Sequence, residues 1–199
     1  RPLPEAEFER FMRERDFSAV NVTIPYKRQV LPYCAQLTPA ARRCGSVNLL
    51  IKGRDGTLTG DNTDLAGLEF LLRQNGWVLT GQTVVILGSG GTGHTAKAAA
   101  EELGAAEIAT VSRTGELNYE NLAKRFGKRE FYLINTTPVG MYPNVGVSAL
   151  DITSMPGLEA VIDVIYNPDK TELILRAEEL GVPAVSYTHL RAHETPEHL

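Results

Sequence analysis

Cysteine is scarce in this chain, and the two residues present, Cys34 and Cys44, fit neither a disulfide framework nor a metal-ligand spacing. Free thiols of a reducing, cytoplasmic setting are therefore expected. No apolar run reaches the ~18 residues that would suggest a membrane span. No Lys/Arg tract exists, and a formal net charge of −4 leaves no electrostatic footprint for nucleic acid. Internal repeats and low-complexity linkers are missing too. No signal peptide is visible, and a chain opening on Arg1 is expected to lack its native N-terminus. Histidine is sparse and points to no metal. His94 falls in a glycine-rich loop, where a solvent-facing ring is expected. His189 and His193 lie i, i+4 with Glu194 adjoining, but not in the order His-Glu-x-x-His, and nothing supplies a third ligand. What remains is 199 residues at 43% hydrophobic, enough to bury one large core or two small ones.

The most informative stretch is Ile86-Leu-Gly-Ser-Gly-Gly-Thr-Gly-His-Thr-Ala96. It follows the apolar run 83–87 and opens into an alanine-rich segment that stops at Gly104, which spells strand, glycine loop, helix. In such a turn Gly88 allows the sharp bend and Gly90 lets the backbone approach a pyrophosphate. The helix N-terminus then offers unpaired N–H groups and partial positive charge to the anion. The run opens Gly-x-Gly-Gly, with Gly91 and Gly93 adding freedom, a departure from the usual three-glycine spacing. Dinucleotide binding is expected because strand and helix flank the loop.

Around it, residues 5–15 read as an amphipathic helix with Phe8, Phe11 and Met12 on one face. Residues 17–24 read as a strand, and Pro25 as the first turn of a following helix, where its missing N–H costs nothing. Pro32 interrupts that helix, and Thr38-Pro39 caps and starts another. Residues 45–52 read as a strand joined by the turn 53–56 to a hairpin partner at 57–59. A helix over 65–75, apolar at Leu65, Leu68, Leu71 and Leu72, is stopped by Gly76. Strands follow at 107–111, 131–134 and 160–165, with helices at 119–126 and 171–180. The alternation predicts an α/β protein whose second part is a doubly wound parallel sheet.

Polar clusters fall where strands end, which is where ligands bind in open α/β sheets: Asn21-Val-Thr-Ile-Pro-Tyr-Lys27, Ser46-Val-Asn48, Gly60-Asp-Asn-Thr-Asp64 and Asp163-Val-Ile-Tyr-Asn-Pro168. With the glycine loop and Ile134-Asn-Thr-Thr-Pro-Val-Gly-Met141, these six segments occur in an order that resembles the shikimate dehydrogenase family, over roughly residues 17–183. That family interconverts 3-dehydroshikimate and shikimate with a nicotinamide cofactor. The resemblance implies a substrate domain over 1–64, a connecting helix over 65–79 and a Rossmann-type NADP-binding domain over 80–185. It also implies Lys27 as the catalytic lysine and Asp64 as its carboxylate partner. Reducing a ketone builds negative charge on oxygen, which an ammonium can stabilise and then protonate. Thr23, Asn48, Tyr166, Asn21 and Asp64 are implied as substrate contacts. Gly88, Ser89, Gly90, Gly91, Thr92, Ser112, Arg113, Thr114 and Val164 are implied around the cofactor. At the second strand end Ser112-Arg113-Thr114 offers a cation and no carboxylate, which suits a 2′-phosphate and hence NADP. The family often adds a second basic residue near position 117, and this chain has Leu117.

The resemblance fails at both ends. The family's carboxylate-binding serine pair would lie upstream of Arg1, and its substrate-contacting glutamine is missing after about Ser186. Residues 186–199 read like translated sequencing adapter and are expected to be a non-native tail. The chain as written is therefore expected to bind NADPH and to turn over shikimate poorly. Two alternatives stand beside this reading: a quinate/shikimate dehydrogenase that prefers NAD, and a nucleotide-binding regulatory protein that has lost turnover. The partner in the first two cases is a small molecule. Oligomeric state is not legible.

Overall fold

The computed structural model describes residues 3–187. The first sheet contains β1 (Ala19–Asn21), β2 (Gln36–Leu37), β3 (Leu49–Lys52) and β4 (Leu58–Asp61) in the order β1-β3-β4-β2. Its β3–β4 hairpin turns through Gly56 at φ 81, and the Asp55 carboxylate accepts from the Thr57 N–H and hydroxyl. Helix α1 (Glu5–Glu14) buries Phe8 and Met12 against this sheet, with Val22, Val47, Leu50 and Leu58 beneath them. Helix α2 (Pro39–Cys44) starts as its sequence indicates: the Thr38 hydroxyl accepts from the Ala41 N–H.

The second sheet is wholly parallel: β5 (Thr83–Leu87), β6 (Glu107–Val111), β7 (Phe131–Asn135), β8 (Leu158–Asp163) and β9 (Ala184–Ser186), in the order β6-β5-β7-β8-β9. Alternate residues point to opposite faces. Val84, Ile86, Ile134 and Ile162 pack under α3 (Thr63–Gln74) and α4 (Gly91–Glu102). Val85, Leu87, Leu133 and Val161 pack under α5 (Leu122–Phe126) and α6 (Glu172–Glu179). Burial on both faces is why β5 reads as an unbroken apolar run. This is the doubly wound sheet that the alternation predicts, and the strand order reverses between β5 and β7, which opens a crevice there. Among the described residues no helix is long and apolar enough to cross a membrane.

Helix α3 presents the four predicted leucines to the core, all buried. Where it meets α4, the Glu69 carboxyl has one buried oxygen without a hydrogen-bond partner. Burial first, and then the neighbouring Glu102 carboxylate, push Glu69 above the ordinary carboxylate range, opposed by Arg73 and Arg43. Glu102 is held low, chiefly by its pairing with Arg43.

Three local expectations are corrected. Residues 24–30 form turns, not a helix starting at Pro25, because the Lys27 carbonyl accepts from the Val47 N–H at 2.7 Å and is lost to a helical ladder. Helix α5 begins at Leu122, not at 119. The Asn118 and Asn121 side chains accept from nearby backbone N–H groups and compete with the first turn. Helix α3 starts at Thr63, so Asp64 lies in its first turn and not in a loop before it. Strand β9 runs through Ser186, parallel to β8, so Ser186 continues the sheet; positions 188–199 lie outside the described residues.

Candidate active site

Lys27 and Asp64 come from separate segments and meet: Lys27 Nζ donates to Asp64 Oδ2 at 2.7 Å. The turn after β1 delivers the lysine, pinned by the Val47–Lys27 backbone bond. Asn62 caps α3, its Oδ1 accepting from the Leu65 N–H at 3.2 Å, which sets Asp64 in the first turn beside the positive end of the helix. The pair is only partly screened from water, the side chains being 14% and 25% exposed. Lys27 Nζ also reaches Thr92 Oγ1, at 3.3 Å, in the glycine loop. The two sheets thus meet at the lysine.

The loop after β5 shows why its glycines are there. Gly88 takes φ 104, a left-handed conformation that other residues avoid. A Cβ at Gly91 would lie 2.9 Å from Lys27 Cβ, so this glycine lets the loop close on the lysine. A Cβ at Gly93 would stand 3.1 Å from the Gly88 carbonyl carbon and nearer still to its oxygen. Gly88, Gly90 and Gly93 therefore complete the usual Gly-x-Gly-x-x-Gly spacing after all, with the third glycine letting the helix pack on the loop. At Gly90 a Cβ would meet nothing within 4 Å, and Ser89 and Gly90 are exposed. The first turn of α4 opens there, with its unpaired N–H groups.

Other predicted residues are placed as follows. Asn48 is half-buried and already engaged: its Nδ2 donates to Thr63 Oγ1 and its Oδ1 accepts from the Thr63 N–H, both at 2.9 Å. Asn21 and Thr23 are exposed on the segment leading to Lys27. They line a groove of about 840 Å³ with Phe8, Phe11 and Met12, an apolar space that includes neither Lys27 nor Asp64. Ser112, Arg113 and Thr114 follow β6, with Arg113 and Thr114 exposed and no acidic side chain at that strand end. Leu117 is 7% exposed and packs in the core, so position 117 offers no group to a ligand. Val164 is half-buried, and Tyr166 stands 46% exposed after β8. His94 is half-buried instead of solvent-facing, and burial, then Arg28 and Lys97, lowers its pKa. Among the described residues no three His, Cys, Asp or Glu side chains gather as a metal would require, and His189 and His193 lie outside them.

Two polar clusters have no counterpart among the predicted site residues. Asp163 is fully buried at the end of β8 and accepts from Asn135 Nδ2, the Ile165 N–H and Thr171 Oγ1. Burial pushes its carboxyl up against those three hydrogen bonds. It ties the loop after β7 to the loop carrying Tyr166, helped by the Tyr142 N–H bond to the Asn167 carbonyl at 2.9 Å. The second cluster, Ser46, Asn62 and Thr95, is buried between the two sheets. Only its membership in the quoted motifs could have drawn attention to it.

Comparison with known proteins agrees with this geometry. Residues 4–50 match the family model described as the shikimate dehydrogenase substrate binding domain. The NADP(+) shikimate dehydrogenase of Paramagnetospirillum magneticum is 33% identical over 194 residues, 89% of this chain and 70% of that protein. Shikimate dehydrogenase 1 of Peptoclostridium difficile superposes with TM-score 0.85 at 28% identity, covering 96% of this chain and 73% of that one. The Thermus thermophilus shikimate 5-dehydrogenase, solved with NADP(H) and shikimate, gives TM-score 0.76 at 30% identity, covering 96% and 75%. The chain spans 62–70% of the length of the first curated relatives it matches. With Lys27 and Asp64 paired beside the glycine loop and a 33% identical relative aligned along most of its length, the chain belongs to the shikimate dehydrogenase family.

Proposed function

We propose that this chain carries the catalytic core of an NADP-dependent shikimate dehydrogenase, reversibly reducing 3-dehydroshikimate to shikimate. The observation that carries the reading is the Lys27–Asp64 pair at 2.7 Å with Thr92 of the glycine loop 3.3 Å from the same ammonium. A proton donor thereby abuts a cofactor loop, which a binding module would not need.

The residues fit a dinucleotide. Gly88, Ser89 and Gly90 lead into α4, whose first residues are Gly91 and Thr92 and whose N-terminal N–H groups suit a pyrophosphate. Ser112, Arg113 and Thr114 suit a 2′-phosphate, Arg113 by charge-assisted hydrogen bonds, and Val164 adjoins the crevice beyond β8. When bound, NADPH supplies the hydride. Lys27 stabilises the charge that develops on the carbonyl oxygen and then protonates it, a contribution of typically about 10²–10⁴-fold. Asp64 fixes the ammonium and accepts from a substrate hydroxyl. Thr23, Asn21 and Tyr166 serve as further hydroxyl partners. Asn48 has its carbonyl and one N–H committed to Thr63, so it faces substrate as a donor through its second N–H. The domains we assign are 1–64 for substrate, 65–79 as connector and 80–185 for cofactor.

Burial of Leu117 leaves Arg113 without a basic neighbour there, the feature that keeps an NAD-preferring quinate/shikimate enzyme as the second reading. Steady-state assays of shikimate and quinate with NADP and NAD separate them. Preference for the NADP–shikimate pair is expected. Preference for NAD with quinate moves the assignment to the second reading, and failure of the chain to bind either cofactor overturns both.

A further inference from the structure

Asn62 does more than cap α3. It is 2% exposed, and its Nδ2 donates to the Ser46 carbonyl and Ser46 Oγ at 3.0 Å and to Thr95 Oγ1 at 3.2 Å. Ser46 and Thr95 are equally buried, and both hydroxyls donate to the Gly91 carbonyl, at 3.2 and 3.3 Å. One side-chain amide therefore joins three pieces. They are the start of the helix bearing Asp64, the loop before β3 whose Val47 N–H pins Lys27, and the first turn of α4 behind the glycine loop. A buried amide with all its bonds made is directional in a way that the leucine and alanine packing around it is not.

We propose that Asn62 is a positioning residue whose buried bonds, through Thr95, set the register between the glycine loop and the Lys27–Asp64 pair. The kinetic part of this inference rests on the activity proposed above, and the test of the register rests on the proposed cofactor. Displacement of a reacting group by about 1 Å can cost about 10²-fold in rate, so a site assembled from two sheets depends on such a tie.

Three variants test it. Asn62→Asp keeps the cap acceptor for the Leu65 N–H but removes both donated N–H groups, and it risks misfolding. Thr95→Val is the milder probe. The Gly91 carbonyl keeps Ser46 Oγ and the Asn62 amide keeps both Ser46 oxygens, so no buried group is orphaned. The first measurement is acylation of Lys27 by acetic anhydride, followed by peptide mass spectrometry, with and without NADPH. In the unaltered chain NADPH should slow modification of Lys27 at least about tenfold. In folded Thr95→Val the protection should fall below about twofold. The second measurement is turnover: kcat should drop about tenfold or more while KM for shikimate stays within about threefold, a split that general loss of structure would not produce. Thr95→Ser, which restores the hydroxyl, should recover both.

Undiminished protection in Thr95→Val, or no recovery in Thr95→Ser, overturns the proposal. Protection lost in Thr95→Val with kcat within twofold of the unaltered chain would uphold the register and overturn its kinetic consequence. No protection in the unaltered chain would end both.

Discussion

Replacing Gly93 with alanine should damage the fold and cofactor binding together, whereas the same change at Gly90 should damage binding alone. At Gly93 the added methyl would stand 3.1 Å from the Gly88 carbonyl carbon, closer to its oxygen, and 3.3 Å from Thr136 Oγ1. The first two are backbone atoms at a residue with φ 104, and Thr136 Oγ1 is held by the Leu87 carbonyl at 2.6 Å. Nothing there can swing aside, so the first turn of α4 must move off the loop. Overpacking of this kind costs about 1–3 kcal/mol, against a helix-propensity gain of up to about 1 kcal/mol for alanine over glycine. The net loss is about 0–3 kcal/mol of stability. Shifting the helix start by a few tenths of an ångström or more would also spoil at least one hydrogen bond to a phosphate, worth about 1.5–3 kcal/mol. That weakens NADPH by about 10–10²-fold. At Gly90, with φ −79 and nothing within 4 Å of a Cβ, alanine fits the backbone and should raise stability by about 0.4–1 kcal/mol through the unfolded chain. Its methyl would project where a pyrophosphate approaches, so affinity should fall without loss of fold. Urea unfolding followed by the single tryptophan, Trp77, and fluorescence titration with NADPH measure the two quantities. A Gly90→Ala protein that binds NADPH normally, or a Gly93→Ala protein of unchanged affinity, would refute the reasoning.

Lys27→Met should lower kcat by about 10²-fold or more with little change in substrate affinity, and a variant within threefold of the original kcat would remove the lysine from the chemistry. Arg113→Ala should weaken NADPH by about 1.5–3 kcal/mol and NADH hardly at all; calorimetric titration showing equal losses would make Arg113 a loop support instead. Glu69→Gln should change the pH profile of stability. The folded-state pKa of Glu69 is raised, so its contribution is fully present below the unfolded value and is lost as pH rises through the folded one. The glutamine variant should match the original chain at acid pH and become the more stable of the two toward alkaline pH. Urea midpoints that keep a constant difference from pH 4 to pH 9 would contradict this.

Elements whose identity depends on local pattern were legible in the sequence. Helix α3 followed from four leucines at helical spacing, and β5 and α4 from an apolar run, a glycine loop and an alanine-rich segment. The Lys27–Asp64 pair was legible only through the family resemblance, since nothing in spacing brings positions 27 and 64 together. What escaped depends on long-range bonds. Residues 24–30 carry a helix-start signal, yet a single backbone bond from Val47 diverts the Lys27 carbonyl. Strand β2 is two residues long and exists because β4 offers it an edge, too short for any periodicity to register. Asn62 looked like one polar residue in a polar motif, and its partners Ser46 and Thr95 are distant in sequence. The fingerprint spacing Gly88, Gly90 and Gly93 was present in the sequence but masked by the extra Gly91; only the close approach of Gly93 to the Gly88 carbonyl needed the structure.

The surroundings of Lys27 also fix a count of hydrogens. An ammonium carries three N–H bonds. Asp64 takes one and Thr92 another, which leaves a single N–H to point at an incoming carbonyl oxygen. In the reaction proposed above, once that proton has been passed on, the neutral amine retains two N–H bonds, the number its two anchors require, and turns its lone pair toward the new hydroxyl. Neither anchor has to let go, so the lysine can give up a proton and take it back with its stem at rest. In the proposed reaction the two directions then share one geometry of the amine, as reversible transfer at a single oxygen demands.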